Sequence, residues 1–408
     1  MDSPEARALA GVPWLFSRQG LGLLVVITAL AATFLATDVT FLAGALLLVG
    51  LGAQAWAALA FVGVVYSRAT SRSRAFCGDE LMLESSLANP RPLPLPWVEV
   101  WECLPTNLEP DGLIERSFLD PDRVWVSRGL ALWPYQRLRW RRRLFCRHRG
   151  VFRLGEARLR TGDPFGFFER EHTWQDRVEL LVYPRVVPLR RLALPLHHPS
   201  LDVISPSSPV ADPTRTATVR DYRPDDARRM IHWPTTARRG SLQVRVLEPA
   251  TSLHVSLLLD VRGFTFGIYR HELLELTLSA LASIGVFLQG QGAPIAFLAN
   301  TDPPLSVPPG ASVPHLQSVL ENMARLEPHA GAALLPWAFE GLPPGNTVVL
   351  ATSDVATDLV RTIGQLEDSG FHVLVLLAFD QSHTGLRRPG TISITPGCDL
   401  AARLEGRG

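Results

Sequence analysis

The chain has no cysteine framework. Its four cysteines, Cys77, Cys103, Cys146 and Cys398, are scattered and form no CxxC pair. That excludes a disulfide scaffold and a zinc knuckle and leaves isolated thiols. An excess of either charge is also missing: 40 Lys and Arg face 39 Asp and Glu, for a formal net charge of +1 over 408 residues. Without a broad basic field the chain does not read as a nucleic-acid binder. Nucleophile elbow, HExxH pair and phosphate-cradling Gly loop are absent as well, so the expectation is a protein that is not an enzyme. What is plentiful is apolar residues, 47% of the chain, with 33 Pro and 31 Gly. This combination predicts many turns and short strands, and the length predicts two or three units.

Two uncharged runs come first. Leu21 to Thr37 spans about 17 residues and Phe41 to Tyr66 about 26, both near the length that a bilayer core requires. They predict a transmembrane hairpin occupying residues 1–74, with spans at about 21–37 and 41–66. Arg7 and Arg18 precede the pair, Arg68, Arg72 and Arg74 follow it, and the connection carries only Asp38. By the positive-inside rule both ends, and hence the soluble domains, are cytoplasmic at a plasma (inner) membrane. A cleaved signal peptide over the first run is the alternative, leaving one span and an external domain.

Residues 75–196 change texture. Alternating runs at Leu81–Ser85, Trp97–Trp101, Val124–Val126, Leu154–Leu159 and Leu180–Tyr183 are separated by turn signals such as Asn89-Pro90 and Gly162-Asp163-Pro164. They predict an all-β, sandwich-like domain. The three phenylalanines of Phe165-Gly166-Phe167-Phe168 are expected to anchor their turn to a core. Arg137 to Arg149, RLRWRRRLFCRHR, is the sharpest basic cluster. It reads either as a binder of RNA or anionic lipid, or as one strand with an arginine face and Leu138, Trp140 and Leu144 inward.

Residues 197–251 form a linker and a charged segment. Thr218 to Glu248 sets arginines and aspartates around Tyr222, Ile231 and Trp233, which predicts ion pairs beside an inward-packed apolar set that braces two folds. From 252 to 408 apolar strands alternate with helices: Leu253–Asp260, helix His271–Gln289, strand Pro294–Ala299, helix Val313–Leu326, strand Thr347–Ala351, helix Val355–Glu367 and strand Phe371–Phe379. This predicts a doubly wound α/β domain with a parallel sheet covered on both faces. Function gathers at the carboxyl ends of such strands, where Asp260 and Asp354 fall.

The motifs Tyr222-Arg223-Pro224, Arg229, Ile231-His232-Trp233 and Ala237-Arg238, with Asp163-Pro164-Phe165-Gly166 and Val182-Tyr183-Pro184 upstream, resemble those of domain-of-unknown-function family 58. Where that family has Gly-Asp after the proline, this chain has Asp225-Asp226. The resemblance marks Tyr222, Arg223, Asp226, Arg229, His232, Trp233 and Arg238 as a structural and interaction signature. It implies a C-terminal domain related to von Willebrand factor type A domains, which commonly bind a divalent cation through a DxSxS loop. Here that loop reads Asp260-Val261-Arg262-Gly263-Phe264, with both serines replaced, so no metal or other cofactor is expected. Arg262 is expected either to pair with Asp260 or Asp354 or to point to solvent. The resemblance further implies a membrane-anchored interaction or assembly protein working with a MoxR-type AAA+ ATPase and other membrane proteins. A hydrolase using the acids near His232, or a binder acting through Arg137 to Arg149, is the alternative.

Overall fold

The computed structural model describes residues 18–33, 37–111, 115–116, 122–175, 178–193, 211–223, 231–249, 254–265, 269–327, 342, 346–353, 357–379 and 390–407. The chain divides after Tyr183 into two compact units, Met1–Tyr183 and Pro184–Gly408.

The first unit opens with two helices, α1 (Arg18–Thr33) and α2 (Thr37–Leu59). At 1.5 Å per residue they rise about 24 and 35 Å. Leu21 and Leu24 of α1 pack with Leu46 and Leu47 of α2, while Leu23, Val26, Leu30, Phe41, Leu42 and Leu48 face outward. The expected second span, 41–66, runs too far. Helix α2 stops at Leu59, and Val65 and Tyr66 already belong to a strand. Arg91 terminates the helix: its guanidinium donates to the Leu59 carbonyl and, at 2.6 Å, to that of Ala60. A cation on carbonyls at the helix C-terminus also complements the helix dipole.

Strands follow in the order β1 (Val65–Thr70), β2 (Arg74–Phe76), β3 (Glu80–Ala88), β4 (Leu95–Pro105), β5 (Leu108–Pro110), β6 (Glu115–Arg116), β7 (Arg123–Leu132), β8 (Arg137–Cys146), β9 (Gly150–Arg153), β10 (Ala157–Gly162), β11 (Glu169–Trp174) and β12 (Glu179–Tyr183). They form sheets ordered β1-β3-β8-β5, β11-β10-β4-β7-β6 and β2-β12-β9. Because side chains alternate along a strand, the two larger sheets share an interior in which Leu87 and Trp140 meet Val98, Val100, Leu132 and Leu159. Of the predicted strand Leu154–Leu159, only Ala157–Leu159 belongs to a strand, β10, and Leu154–Glu156 connect it to β9. There Gly155 lies so close to Cys103 that a Cβ would come within 2.7 Å of the sulfur.

The second unit begins with a hairpin of β13 (Ala211–Asp221) and β14 (Gln243–Pro249), with helix α3 (Trp233–Arg239) between them. The main sheet comprises β15 (Val255–Leu259), β16 (Ile295–Ala299), β17 (Leu305–Gly310), β18 (Thr347–Thr352), β19 (His372–Ala378) and β20 (Thr391–Ile394). Its order is β17-β16-β15-β18-β19-β20, parallel throughout except for the edge strand β17. Helices α4 (Arg270–Gly290), α5 (Val313–Arg325), α6 (Thr357–Asp368) and α7 (Leu400–Leu404) accompany it. Leu258, Leu298, Leu350 and Val375 point to Leu359, Ile363 and Leu366 of α6. On the opposite face Gly285 of α4 sits against Leu257 and against Leu316 of α5. Strands β15, β16 and β18 are buried along their whole length, as a sheet covered on both faces requires. Helix α4 is long and apolar enough to cross a membrane, but most of it is buried inside this unit. It is a core helix.

Candidate functional site

Chain order places the site. Strand β15 is laid down centrally, β16 and β17 add on one side, and the chain then returns to add β18 to β20 on the other. The reversal lies beside the carboxyl end of β15, where open α/β sheets hold their ligands. Asp260 stands there, its N–H donating to the Ala351 carbonyl of β18 at 2.8 Å.

The Asp260 carboxylate is buried and already occupied. Its Oδ1 accepts from Asn300 Nδ2 at 2.7 Å, from the Arg262 N–H at 3.3 Å and from Arg262 Nε at 3.4 Å. Asn300, fully buried at the end of β16, uses its own Oδ1 to accept from the Val261 N–H at 2.6 Å. Ser353, after β18, donates to the Gly263 carbonyl, and Thr265 donates to that of Arg262. The loop Val261–Phe264 is thereby wound into a 3-10 turn capped by Asp260. Arg262 turns back onto Asp260, one of the partners named for it; the other, Asp354, lies outside the described residues. Asn300 was missed, although a polar residue directly after an apolar strand run, at the position equivalent to Asp260, is a readable signal.

These residues do not fit the divalent cation that the resemblance implies. A hard cation takes six to eight oxygens, or about six in an octahedral magnesium site. The loop offers one carboxylate, places a guanidinium beside it, and commits Phe264 to the core without exposure. Among the described residues no group of three or more His, Cys, Asp or Glu side chains is placed to hold a metal ion.

The signature segment is built differently from expectation. Ile231 is buried and bridges Val244 of β14. His232 caps α3: its Nδ1 accepts from the Thr235 N–H at 3.3 Å and lies 2.7 Å from Thr235 Oγ1. Pro234 suits the first helical turn, and Gly240 ends the helix at φ 72°, in the left-handed region that glycine adopts freely. Trp233, predicted to pack inward, is 65% exposed. At the first position of a two-turn helix its side chain leaves the hairpin rather than entering it. Tyr222 is half-buried, and Arg223 and Arg238 are exposed; Asp226 and Arg229 fall outside the described residues. The hub is Gln243, which sequence reasoning passed over. Fully buried, it donates through its N–H to Thr236 Oγ1 at 3.0 Å and through Nε2 to Ser241 Oγ at 3.1 Å and to Asp221, while its carbonyl accepts from the His232 N–H at 2.8 Å. Arg220 reaches the Asp221 carbonyl at 3.1 Å and Arg239 the Gln243 amide at 3.5 Å.

Acidic residues of neighbouring strands and loops pair with much of the basic cluster. Arg141 lies 3.6 Å from Glu84, Arg143 3.3 Å from Asp111 and Arg147 2.5 Å from Glu109. Arg142 goes inward with Trp140 and Leu144. Its Nε is 3.9 Å from Glu102, and its Nη1 donates to the Asp111 carbonyl at 2.6 Å. Glu102, on the facing sheet, accepts from the Tyr66 hydroxyl at 2.6 Å and from Ser85. Burial, and next the Glu102 charge, push the Tyr66 hydroxyl far above its ordinary range. Burial likewise draws the Arg142 guanidinium below its usual value.

The fold therefore defines a mixed α/β protein, with two apolar helices near its N-terminus, β-sheets after them, and a mostly parallel C-terminal sheet. Residues 218–387 match the family described as "Protein of unknown function DUF58". The "Uncharacterized protein YeaD" of Bacillus subtilis (strain 168) is 26% identical over 321 residues, covering 76% of this chain and 75% of that protein. Solved structures resemble it only faintly. Proximal thread matrix protein 1 from the mussel byssus gives a TM-score of 0.30 at 11% identity, over 38% of this chain and 47% of its own. A cohesin module of a Clostridium perfringens family 33 glycoside hydrolase gives 0.21 at 9%, over 29% of this chain and 96% of its own. Likeness at this level carries no argument about either unit.

Proposed function

We propose that the chain is a membrane-anchored, non-catalytic interaction protein. Helices α1 and α2 cross the bilayer as a hairpin, and the C-terminal unit is a von Willebrand factor type A-like domain that presents its carboxyl-end loops to a partner. The supporting observation is the strand order β17-β16-β15-β18-β19-β20 with an antiparallel edge strand. It sets a braced polar loop, not an open acid–base pair, at the position where such sheets bind. Arg262, 39% exposed on its side chain, gives that loop face a cationic group held in place from behind by Asp260. Outward apolar side chains on both helices support membrane insertion, and the arginines flanking them favour cytoplasmic soluble domains at the plasma membrane. The family resemblance favours a MoxR-type AAA+ ATPase as partner. The His232 ring, used as a helix cap, supports a structural role for that residue over a hydrolytic one.

The test is affinity purification of the tagged chain from carbonate-washed membranes in mild detergent, with quantitative mass spectrometry. The expected result is recovery in the membrane fraction together with an enriched AAA+ ATPase. Release by carbonate, or no ATPase above an untagged control, would overturn the reading.

A further inference from the structure

We propose that the turn Asp163–Phe168, between β10 and β11, is a lipid-contacting wedge that enters the bilayer beside α1. The inference rests on the reading of α1 and α2 as a membrane hairpin and extends it to a part of the β-sheet unit.

Three observations in that unit carry it. First, the turn is apolar and outward: Phe165 is 62% exposed and stacks on Phe167, with ring centroids 5.5 Å apart and planes at 19°. Second, it adjoins the outward apolar helices, because Phe167 and Phe168 pack into the cluster of Leu21, Leu24, Leu46 and Leu47. The expected core for these rings is thus the helix pair, and the surface of Phe165 continues that of the helices. Third, the turn satisfies four of its backbone N–H groups internally. Asp163 N–H donates to the Phe168 carbonyl at 3.2 Å, and Gly166 N–H to the Asp163 carbonyl at 3.2 Å. Phe165 and Phe168 N–H donate to the Asp163 carboxylate at 2.9 and 2.5 Å. Pro164 has no N–H to satisfy. Backbone polar groups without partners cost several kcal/mol in hydrocarbon, so each N–H paired within the turn removes part of that demand. Water would impose no such demand.

Glycine makes the arrangement possible. A Cβ at Gly162 would fall 2.2 Å from the Phe168 carbonyl oxygen, and Gly166 sits at φ 74°. Directly after the turn the polarity reverses, with Glu169 paired to Arg160 at 3.0 Å. An apolar tip above a charged base is the profile of a shallow, interfacial insertion, and the occupant is lipid acyl chain next to the headgroups.

The experiment places an environment-sensitive fluorophore on Phe165→Cys in the full chain, with Cys77→Ser and Cys398→Ser removing the two half-buried thiols. The chain is reconstituted in vesicles of phosphatidylcholine and phosphatidylglycerol, and nitroxide-labelled lipids act as quenchers. Leu48→Cys, on the outward face of α2, and Glu109→Cys, on the β-sheet surface, serve as references. We expect quenching at position 165 to reach at least about half of that at 48 and to exceed that at 109 by about twofold or more. Quenching at 165 equal to that at 109, with 48 strongly quenched, overturns the wedge while leaving the membrane hairpin standing. Absence of quenching at 48 overturns both.

Discussion

Arg141 and Arg142 are adjacent and chemically identical, yet their replacement should have very different costs. The Arg142 side chain is 11% exposed and faces Glu102, itself 2% exposed, whereas Arg141 is 68% exposed opposite Glu84. Arg142→Met leaves a buried carboxylate without its cation, a change that typically costs about 3–5 kcal/mol. The 3.9 Å separation and the hydroxyls of Tyr66 and Ser85, which still serve Glu102, place the expected loss near 3 kcal/mol. At about 2–4 °C per kcal/mol for a unit of this size, the melting point of the full chain in detergent should fall by about 6–12 °C. Arg141→Met removes an exposed pair and should cost under about 1 kcal/mol. Glu102→Leu alone should be as damaging as Arg142→Met, but the double variant should lose less than the two single losses added together, a coupling of about 1 kcal/mol or more. Equal melting shifts for Arg141→Met and Arg142→Met, or strict additivity of Glu102→Leu with Arg142→Met, would refute the buried pair.

The remaining predictions concern alkaline stability and the signature segment. Burial raises the Cys146 thiol from 9.0 to about 11, with Asp79 and Cys77 adding to the shift. The folded state therefore holds that proton more tightly than the unfolded one. The associated stability is intact below pH 9 and is lost as pH rises through about 11, by roughly 1.4 kcal/mol per unit at most. Urea midpoints taken from pH 8 to 11 should fall accordingly, and Cys146→Ala should lower the baseline but flatten the decline between pH 9 and 10. Beyond pH 10 the raised Tyr66 hydroxyl keeps a slope of the same sign. For the signature segment, Trp233→Ala should shift stability by about 0.5 kcal/mol or less, since the ring is mostly in solvent. Ile231→Ala, at a buried position, should cost about 2 kcal/mol or more. A thermal melt of each separates the cases: a large loss from Trp233→Ala would restore the inward packing that the structure contradicts.

Element type was legible here wherever burial imposes a period. The parallel strands read as unbroken apolar runs because both their faces are covered, and β3, β4 and β8 alternate because one face of each meets the facing sheet. The second apolar run overshot because hydropathy does not distinguish an outward-facing apolar helix from an inward-facing strand. Val64 and Tyr66 lie beyond the helix end and are buried in the β-sheet unit with Leu87 and Val100. Trp233 misled for a related reason: aromatic identity says that a side chain is large, while the direction it takes follows from its place after a helix cap. The buried Glu102–Arg142 pair, by contrast, was open to inspection. Glu102 has the parity of Val98, Val100 and Leu104, and Arg142 that of Leu138, Trp140 and Leu144. A charge at an inward position demands a partner of opposite sign from another inward position, and these two meet that demand between facing sheets. The same reasoning applied to Asp260 points to a donor at the end of a neighbouring strand, where Asn300 stands. What parity and period cannot supply is the choice among donors. That Asp260 takes the amide of Asn300 and the neighbouring Arg262 guanidinium becomes visible only when the strands are assembled.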